Sequence, residues 1–273
     1  MSKINYTDHQ IDLLLTGIYV GSVNPYHLPI LLYRETARIL LAGIKEGVKA
    51  PAAIHNAKRN PNGYDKELIQ DLETNIYHFS AAKTFTQVLE FQSLMIENGR
   101  NVDLKEFKER ALVKWGEYNK TYLLAEYTTT VTSSISALNW KYTQDNKDIF
   151  PRLRSVAVLD QHTTDMCRRM HDVTADVDDP IWNHNLSPRH FQCRCYEERI
   201  DALDPIRSTG KNRKDSIEEL NDKEMSPAFK FNPGKDREIF LTKGAGKHPY
   251  FVVSSQYSNL AKHNFNLPIG NDH

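Results

Sequence analysis

The stretch from Ala157 to Ile200 reads AVLDQHTTDMCRRMHDVTADVDDPIWNHNLSPRHFQCRCYEERI. Several short secondary-structure patterns lie within this stretch and just before it. A strand is predicted over 153–159, a threonine is placed to cap a short helix that ends at Met170, and a second strand is predicted over 195–200. The acidic run DVDDPIW between them is typical of an irregular turn. We therefore expect a small, irregular α/β module in this part of the chain.

All three cysteines of the chain, Cys167, Cys193 and Cys195, lie in this stretch. An odd number cannot form a complete disulfide framework, and clustered cysteines in a reducing compartment favour a metal site. Together with His190 they make a Cys₃His set, which is common in structural zinc sites. The sequence therefore predicts zinc on Cys167, His190, Cys193 and Cys195. Buried free thiols, or a disulfide between Cys167 and one member of the pair, remain open alternatives because the Cys-x-Cys spacing is tight.

Histidines beside the cysteines raise an enzymatic alternative, an HNH-like nuclease in which a zinc-braced turn presents the catalytic groups. His184, Asn185 and His190 offer a histidine base and a metal-binding His or Asn. However, the run lacks a clear strand-turn-strand frame before a helix. The chain has no Gly-rich phosphate loop, Gly-x-Ser-x-Gly elbow or His-Glu-x-x-His motif. The Asp-Asp-Pro run at 178–180 is more typical of a turn with solvated charges. We predict that the chain is not an enzyme.

The first 150 residues show helical periodicity. Apolar residues recur three and four positions apart in segments 29–47 and 65–98. Asp103 opens a capping-box pattern before a further long helix. The β-branched residues of 128–136 favour a strand, but we expect the helix to continue to about Asp145 because helical patterns flank them.

The chain after residue 204 contains many prolines and glycines, with apolar anchors at 229–240 and 248–253 and a short charged helix predicted at 215–225. This composition is typical of an arm that covers either its own domain or another subunit. The sequence thus predicts an α+β protein in three parts: a mostly α-helical N-terminal half with long helices (1–150), a small irregular α/β module with a Cys/His cluster (151–204), and an extended C-terminal arm (205–273).

The chain carries 35 basic and 35 acidic residues, so its formal net charge is zero. Proteins that neutralise many DNA phosphates usually have a basic excess, and only the run from Arg207 to Lys214 is locally basic. A non-catalytic DNA-binding accessory protein therefore remains an alternative that the charge balance does not favour. The N-terminus lacks the pattern of a signal peptide and no apolar run reaches about 18 residues, so we expect synthesis and assembly in a bacterial cytoplasm, without a membrane partner.

Four stretches together resemble the phage Mu F-like minor head proteins, a head-morphogenesis family. They are LLAEYTTTVTSSISALNW (123–140), KDIFPRLRSVAVLDQHT (147–163), DDPIWNHNLSPRHFQCRC (178–195) and FKFNPGKD (229–236). The resemblance is best over 123–200, where the DDPIW turn precedes the Cys-Arg-Cys motif. It departs from the family pattern after the short helix, where His171 and Asp172 stand in place of a frequent glycine.

The resemblance implies a structural protein of the bacteriophage virion that is present in few copies per head. It implies a minor capsid protein at the portal vertex or inner shell, acting in head morphogenesis, DNA packaging or early DNA delivery. The expected partners are the portal protein, the major capsid protein or both, with weak contact to packaged DNA. The helical part, 1–150, would then be the portal-docking region.

Overall fold

The computed structural model describes residues 4–50, 65–203 and 225–260. The basic run Arg207–Lys214 and all but the last residue of the predicted helix at 215–225 lie outside these ranges. Across the described residues, no helix is long and apolar enough to cross a membrane.

Seven α-helices and five strands lie in these ranges. The helices are α1 (Asp8–Tyr19), α2 (Ile30–Val48), α3 (Lys66–Ser93), α4 (Leu104–Gly116), α5 (Leu123–Asp145), α6 (Asp165–Met170) and α7 (Pro233–Asp236). The strands are β1 (Ile96–Glu97), β2 (Arg100–Asn101), β3 (Arg152–Val156), β4 (Thr174–Asp176) and β5 (Tyr196–Ile200). This combination confirms the predicted α+β class.

The chain divides into two compact units that are not consecutive in sequence. The first unit takes its described residues from Met1–Ala42, Glu73–Tyr127 and His248–His273, and the second from Gly43–Leu72 and Thr128–Lys247. The division into 1–150, 151–204 and 205–273 stays a prediction, because compactness within one chain does not establish which parts fold alone.

The long helices lie close to the predicted positions. Asp103 begins α4 by accepting a hydrogen bond from the backbone N–H of Glu106 at 2.9 Å. A π-helical turn over Glu117–Tyr122 follows, and α5 then runs to Asp145 as predicted. The β-branched segment inside α5 is therefore helical, because its flanking turns and its burial against neighbouring elements outweigh its strand propensity. The prediction contained no separate helix at α1, which a Thr7–Gln10 capping box begins.

The second unit contains a three-stranded antiparallel sheet in the order β4-β3-β5. Both outer strands pair with β3, and Arg152 lies opposite Ile200 while Val156 lies opposite Tyr196. Side chains from the sheet, α6 and the turn after β4 enclose a core that includes Leu153, Met170 and the fully buried Trp182. The strand β4 was not predicted, since three residues of its kind are too short for a strand pattern.

The described part of the predicted arm packs on its own chain. Phe229 joins the core of the second unit, and Tyr250 lies 5.4 Å from the ring of Phe79 within the first unit. In the second unit, a Cβ added to Gly234 would lie 2.7 Å from Cδ1 of Trp140. Only glycine permits this close approach of the 233–236 turn to α5.

Candidate metal centre

Two elements of the second unit bring the predicted metal ligands together. Cys167 lies on α6, where the hydroxyl of Thr164 caps the helix by accepting from the Cys167 backbone N–H at 3.3 Å. Cys193 and Cys195 lie on the turn that leads into β5, and His190 begins this turn by accepting the Cys193 N–H at its carbonyl. The local turn therefore makes His190 and the Cys-x-Cys pair neighbours of the helix that carries Cys167.

The donor atoms are close and largely enclosed. The Sγ atoms of Cys167, Cys193 and Cys195 all lie within 4.8 Å of one another, and all three side chains are buried. The Sγ atom of Cys167 is 3.9 Å from that of Cys193 and 3.3 Å from Nε2 of His190. The structure thus places all four predicted ligands in one cluster.

The imidazole of His190 is oriented for its Nε2 atom to face the sulfurs. Its Nδ1 atom is 2.8 Å from the backbone carbonyl oxygen of Phe191. A carbonyl only accepts, so Nδ1 donates a proton to it, and in the neutral imidazole Nε2 then carries the lone pair that a metal would bind. A backbone carbonyl that fixes the tautomer in this way is the usual support of a metal-binding histidine.

The electrostatics of the cluster favour thiolate character. Hydrogen bonding to Cys167, and to a smaller extent hydrogen bonding to Cys193, raises the pKa of His190 to about 10. Hydrogen bonds from Cys167 and then Cys195 hold the pKa of Cys193 well below its usual range, whereas hydrogen bonding to Cys167 and then Cys193 raises the pKa of Cys195. The cluster therefore favours one thiolate, that of Cys193, and the thiolate is the form of cysteine that binds metals.

The donor set fits zinc. Three soft sulfur donors and one imidazole are a common structural zinc set, and such sites need no further ligand. In the described part of the chain, Cys167, Cys193 and Cys195 are the one group of three or more His, Cys, Asp or Glu side chains that could hold a metal ion, and His190 joins them through its contact with Cys167. All three cysteines are free thiols, and the 3.9 Å between Cys167 and Cys193 is far longer than a disulfide bond of about 2.05 Å.

A buried ion pair supports the turn from behind. The side chain of Arg189 is fully buried and lies 2.9 Å from Oε1 of Glu197 on β5. Burial raises the pKa of Glu197. Burial alone would lower the pKa of Arg189, but the negative charges of Glu197 and the three thiols outweigh this effect, so the pKa of Arg189 is raised. Sequence reasoning missed this pair, because an arginine and a glutamate in a polar stretch look like solvated surface residues.

The residues of the nuclease alternative do not form one site. His184 is exposed, with Nδ1 3.1 Å from the backbone carbonyl oxygen of Lys230, while Asn185 is buried and donates to the Ile181 carbonyl oxygen at 3.2 Å. His190 belongs to the sulfur cluster. The three side chains therefore contact three different partners.

The Asp-Asp-Pro run forms a turn with the expected roles. Asp179 accepts from the backbone N–H of Ile181 at 2.9 Å and begins the short 3₁₀ helix Pro180–Asn183. Asp178 is exposed and forms an ion pair with Lys147 at 3.0 Å. This turn positions Trp182 in the core of the module.

Comparison with known proteins gives one match to a family. Residues 86–197 match the family described as Phage Mu protein F like protein. No significant match was found among curated proteins or among solved structures. The match confirms the resemblance over α5, the sheet module and the cysteine turn, while the similarity at 229–236 lies outside it. The segment 86–197, with every residue of the Cys/His cluster, belongs to the phage Mu protein F-like family.

Proposed function

We propose that this chain is a minor head protein of a tailed bacteriophage, acting in head morphogenesis near the portal vertex. The family match over 86–197 carries this proposal, and it supports a phage head-related protein. The location would be the virion head, with assembly in the cytoplasm of the host. The expected partners are the portal protein, the major capsid protein or both, with only weak contact to packaged DNA, since the net charge is zero.

The helical part is the proposed portal-docking region. On α4, Phe107 and Trp115 are buried, whereas Leu112 and Val113 are 51% and 65% exposed. Two neighbouring exposed apolar side chains on a long helix are suited to burial against another helical protein. The docking surface we propose therefore includes Leu112 and Val113.

Co-expression with the portal protein encoded in the same phage genome tests this proposal. We expect the two proteins to co-purify, and the double variant Leu112→Glu/Val113→Glu to abolish the complex. A matched control is Val158→Glu/Leu159→Glu, which places the same charges on two neighbouring residues that are 40% and 55% exposed. Failure of the wild-type chain to co-purify with the portal would count strongly against the proposal.

We also propose that the Cys/His cluster is a structural zinc centre. Cys167, His190, Cys193 and Cys195 would hold the ion, which would supply binding free energy to the folding of a small module. Purified protein should contain about one zinc per chain by elemental analysis. Less than about a tenth of an equivalent, in protein prepared without chelators, would end the zinc proposal.

A non-enzymatic role follows from the same proposal. A four-ligand Cys₃His centre leaves zinc no open position for water or substrate, and His184 and Asn185 contact other groups. Plasmid incubated with excess protein and a divalent metal should stay intact, and cleavage that requires His184 would contradict a purely structural role. Binding to DNA should be weak; tight binding that falls steeply as salt rises would instead favour a DNA-binding accessory protein.

A further inference from the structure

Arg189 is held by hydrogen bonds in several directions. Its Nε donates to the carbonyl oxygen of Asn185 at 2.9 Å, and its Nη1 donates to the Ser187 hydroxyl at 3.2 Å. Its Nη2 donates to the hydroxyl of Ser155 on β3 at 2.8 Å and to Oε1 of Glu197 at 2.9 Å. The guanidinium is therefore fixed between two strands and the turn that bears the metal ligands.

The charge of the neighbouring cluster explains why a cation is useful there. Three thiolates around one divalent cation, with a neutral imidazole, leave a net charge of about −1 in a buried site. An uncompensated buried charge is costly. Arg189 directly precedes the ligand His190, it bonds to Glu197 two residues after the ligand Cys195, and its side chain has no exposure to solvent.

We infer that Arg189 is the buried counter-ion and positioning residue of the metal centre, and that Glu197 limits how much of its charge reaches the thiolates. This inference rests on the proposed zinc centre. Arg194 also carries a positive charge between two of the ligands, but its side chain is 46% exposed and forms an ion pair with Asp160 at 2.7 Å. Solvent screens Arg194, so we expect Arg189 to provide the main stabilisation.

The contacts of Glu197 allow the charge to be separated from the scaffold. The Oε1 atom accepts from the Ser187 backbone N–H at 3.1 Å, the Ser187 hydroxyl at 2.9 Å and Arg189 at 2.9 Å. A glutamine can offer a carbonyl oxygen at the same place and keep these three bonds. Glu197→Gln therefore removes the negative charge while leaving the hydrogen bonds in place.

A purely structural role of the Arg189–Glu197 pair and a counter-ion role of Arg189 predict different effects of Glu197→Gln on metal affinity. If the pair only shapes the turn, Glu197→Gln either leaves affinity unchanged or lowers it. If Arg189 is the counter-ion, the same change strengthens metal binding, because the positive charge is no longer neutralised. Replacing both residues, as Arg189→Met/Glu197→Gln, then removes the cation without leaving a buried carboxylate.

The test measures Zn²⁺ affinity of the full-length chain by competition with a chromogenic chelator, and Co²⁺ spectra report ligand geometry. We expect Glu197→Gln to bind Zn²⁺ more tightly than wild type, and Arg189→Met/Glu197→Gln to bind about 10- to 100-fold more weakly than Glu197→Gln. The control Arg194→Met should change affinity by less than about threefold, because its charge is screened. The Zn²⁺ affinity of Arg189→Lys, which keeps the positive charge but loses the planar guanidinium, should lie between the affinities of Glu197→Gln and Arg189→Met/Glu197→Gln.

Binding by Glu197→Gln that is equal to or weaker than that of wild type would overturn the inference, and so would equal affinity of the double variant and Glu197→Gln. If the double variant does not fold by circular dichroism, Glu197→Gln and Arg189→Lys decide the question alone. A wild-type chain that binds no Zn²⁺ would instead remove the proposed zinc centre, and the inference with it. If wild type binds Zn²⁺ and all the variants bind it with the same affinity, the inference about Arg189 is refuted while the zinc proposal stands.

Discussion

Replacing Lys83 by methionine should show how strongly a buried charge pair stabilises the first unit. Lys83 on α3 is fully buried, and its Nζ lies 2.5 Å from Oε2 of Glu126 and 2.8 Å from the carbonyl oxygen of Tyr118. The other carboxylate oxygen of Glu126 accepts from the hydroxyl of Tyr250 at 3.0 Å. Burial lowers the pKa of Lys83, and Glu126 opposes that shift by stabilising the charged amine.

The size of the effect follows from what each substitution leaves behind. Lys83→Met leaves the Glu126 carboxylate buried without its cation, and breaking a buried pair in this way costs about 3–5 kcal/mol of unfolding free energy. Glu126→Gln leaves the buried amine without its anion, with a comparable cost. The double variant buries no unpaired charge, so its loss should be smaller than the sum of the two, with a coupling of about 2–3 kcal/mol.

Urea unfolding followed by circular dichroism measures these free energies for the wild type, both single variants and the double variant. The pair Lys141–Asp145 is a matched control, because its N–O distance is also 2.5 Å but its side chains are 38% and 40% exposed. The coupling in Lys141→Met/Asp145→Asn should be below about 1 kcal/mol. Additive losses at Lys83 and Glu126 would refute the reasoning, since they would mean that water reaches the pair.

Three further predictions concern the other sites. Cys167→Ser should abolish stoichiometric zinc and lower the melting temperature of the metal-loaded protein, checked by elemental analysis and calorimetry, and a zinc-loaded variant as stable as wild type would contradict this. Gly234→Ala should cost about 1–3 kcal/mol in urea because its Cβ would overlap the ring of Trp140, whereas Gly116→Ala, with no atom within 4 Å, should not destabilise the protein. Burial, and then the charge of the buried lysine, lowers the pKa of His248 from 6.5 to about 3. The unfolded chain therefore takes up this proton at higher pH than the folded chain, so the free energy of unfolding should decrease as pH falls from about 6.5 to about 3. His248→Asn should make this pH dependence weaker in urea unfolding measured at several pH values. An unchanged pH dependence would exclude His248 as its cause.

Sequence patterns located the features that repeat or that carry unusual residues. The long helices were predictable because apolar residues recur along α2, α3 and α4, and the cluster was predictable because all three cysteines fall in one stretch. The burial of Lys83 was not predictable. Its partner Glu126 is 43 positions away, and helical periodicity gives no information about which distant residue faces it.

The same limit explains the elements that were missed in the module. The strand β4 is three residues long and exists because β3 offers it backbone partners, such as Leu153 opposite Ala175. Arg189 is buried because groups from three separate parts of the chain surround it. A local pattern can identify residues able to bind a metal, but their supporting partners become visible only when the chain is folded.

The spacing of the ligands determines what a bound ion would do for the module. Cys167 and Cys193 are 26 positions apart, and the chain between them contains β4 and the buried Trp182. Ordering a loop of this length costs conformational entropy, and an ion that binds only the folded form adds its binding free energy to folding. Zinc at this position would therefore stabilise the core that the loop encloses as well as the turn that binds it.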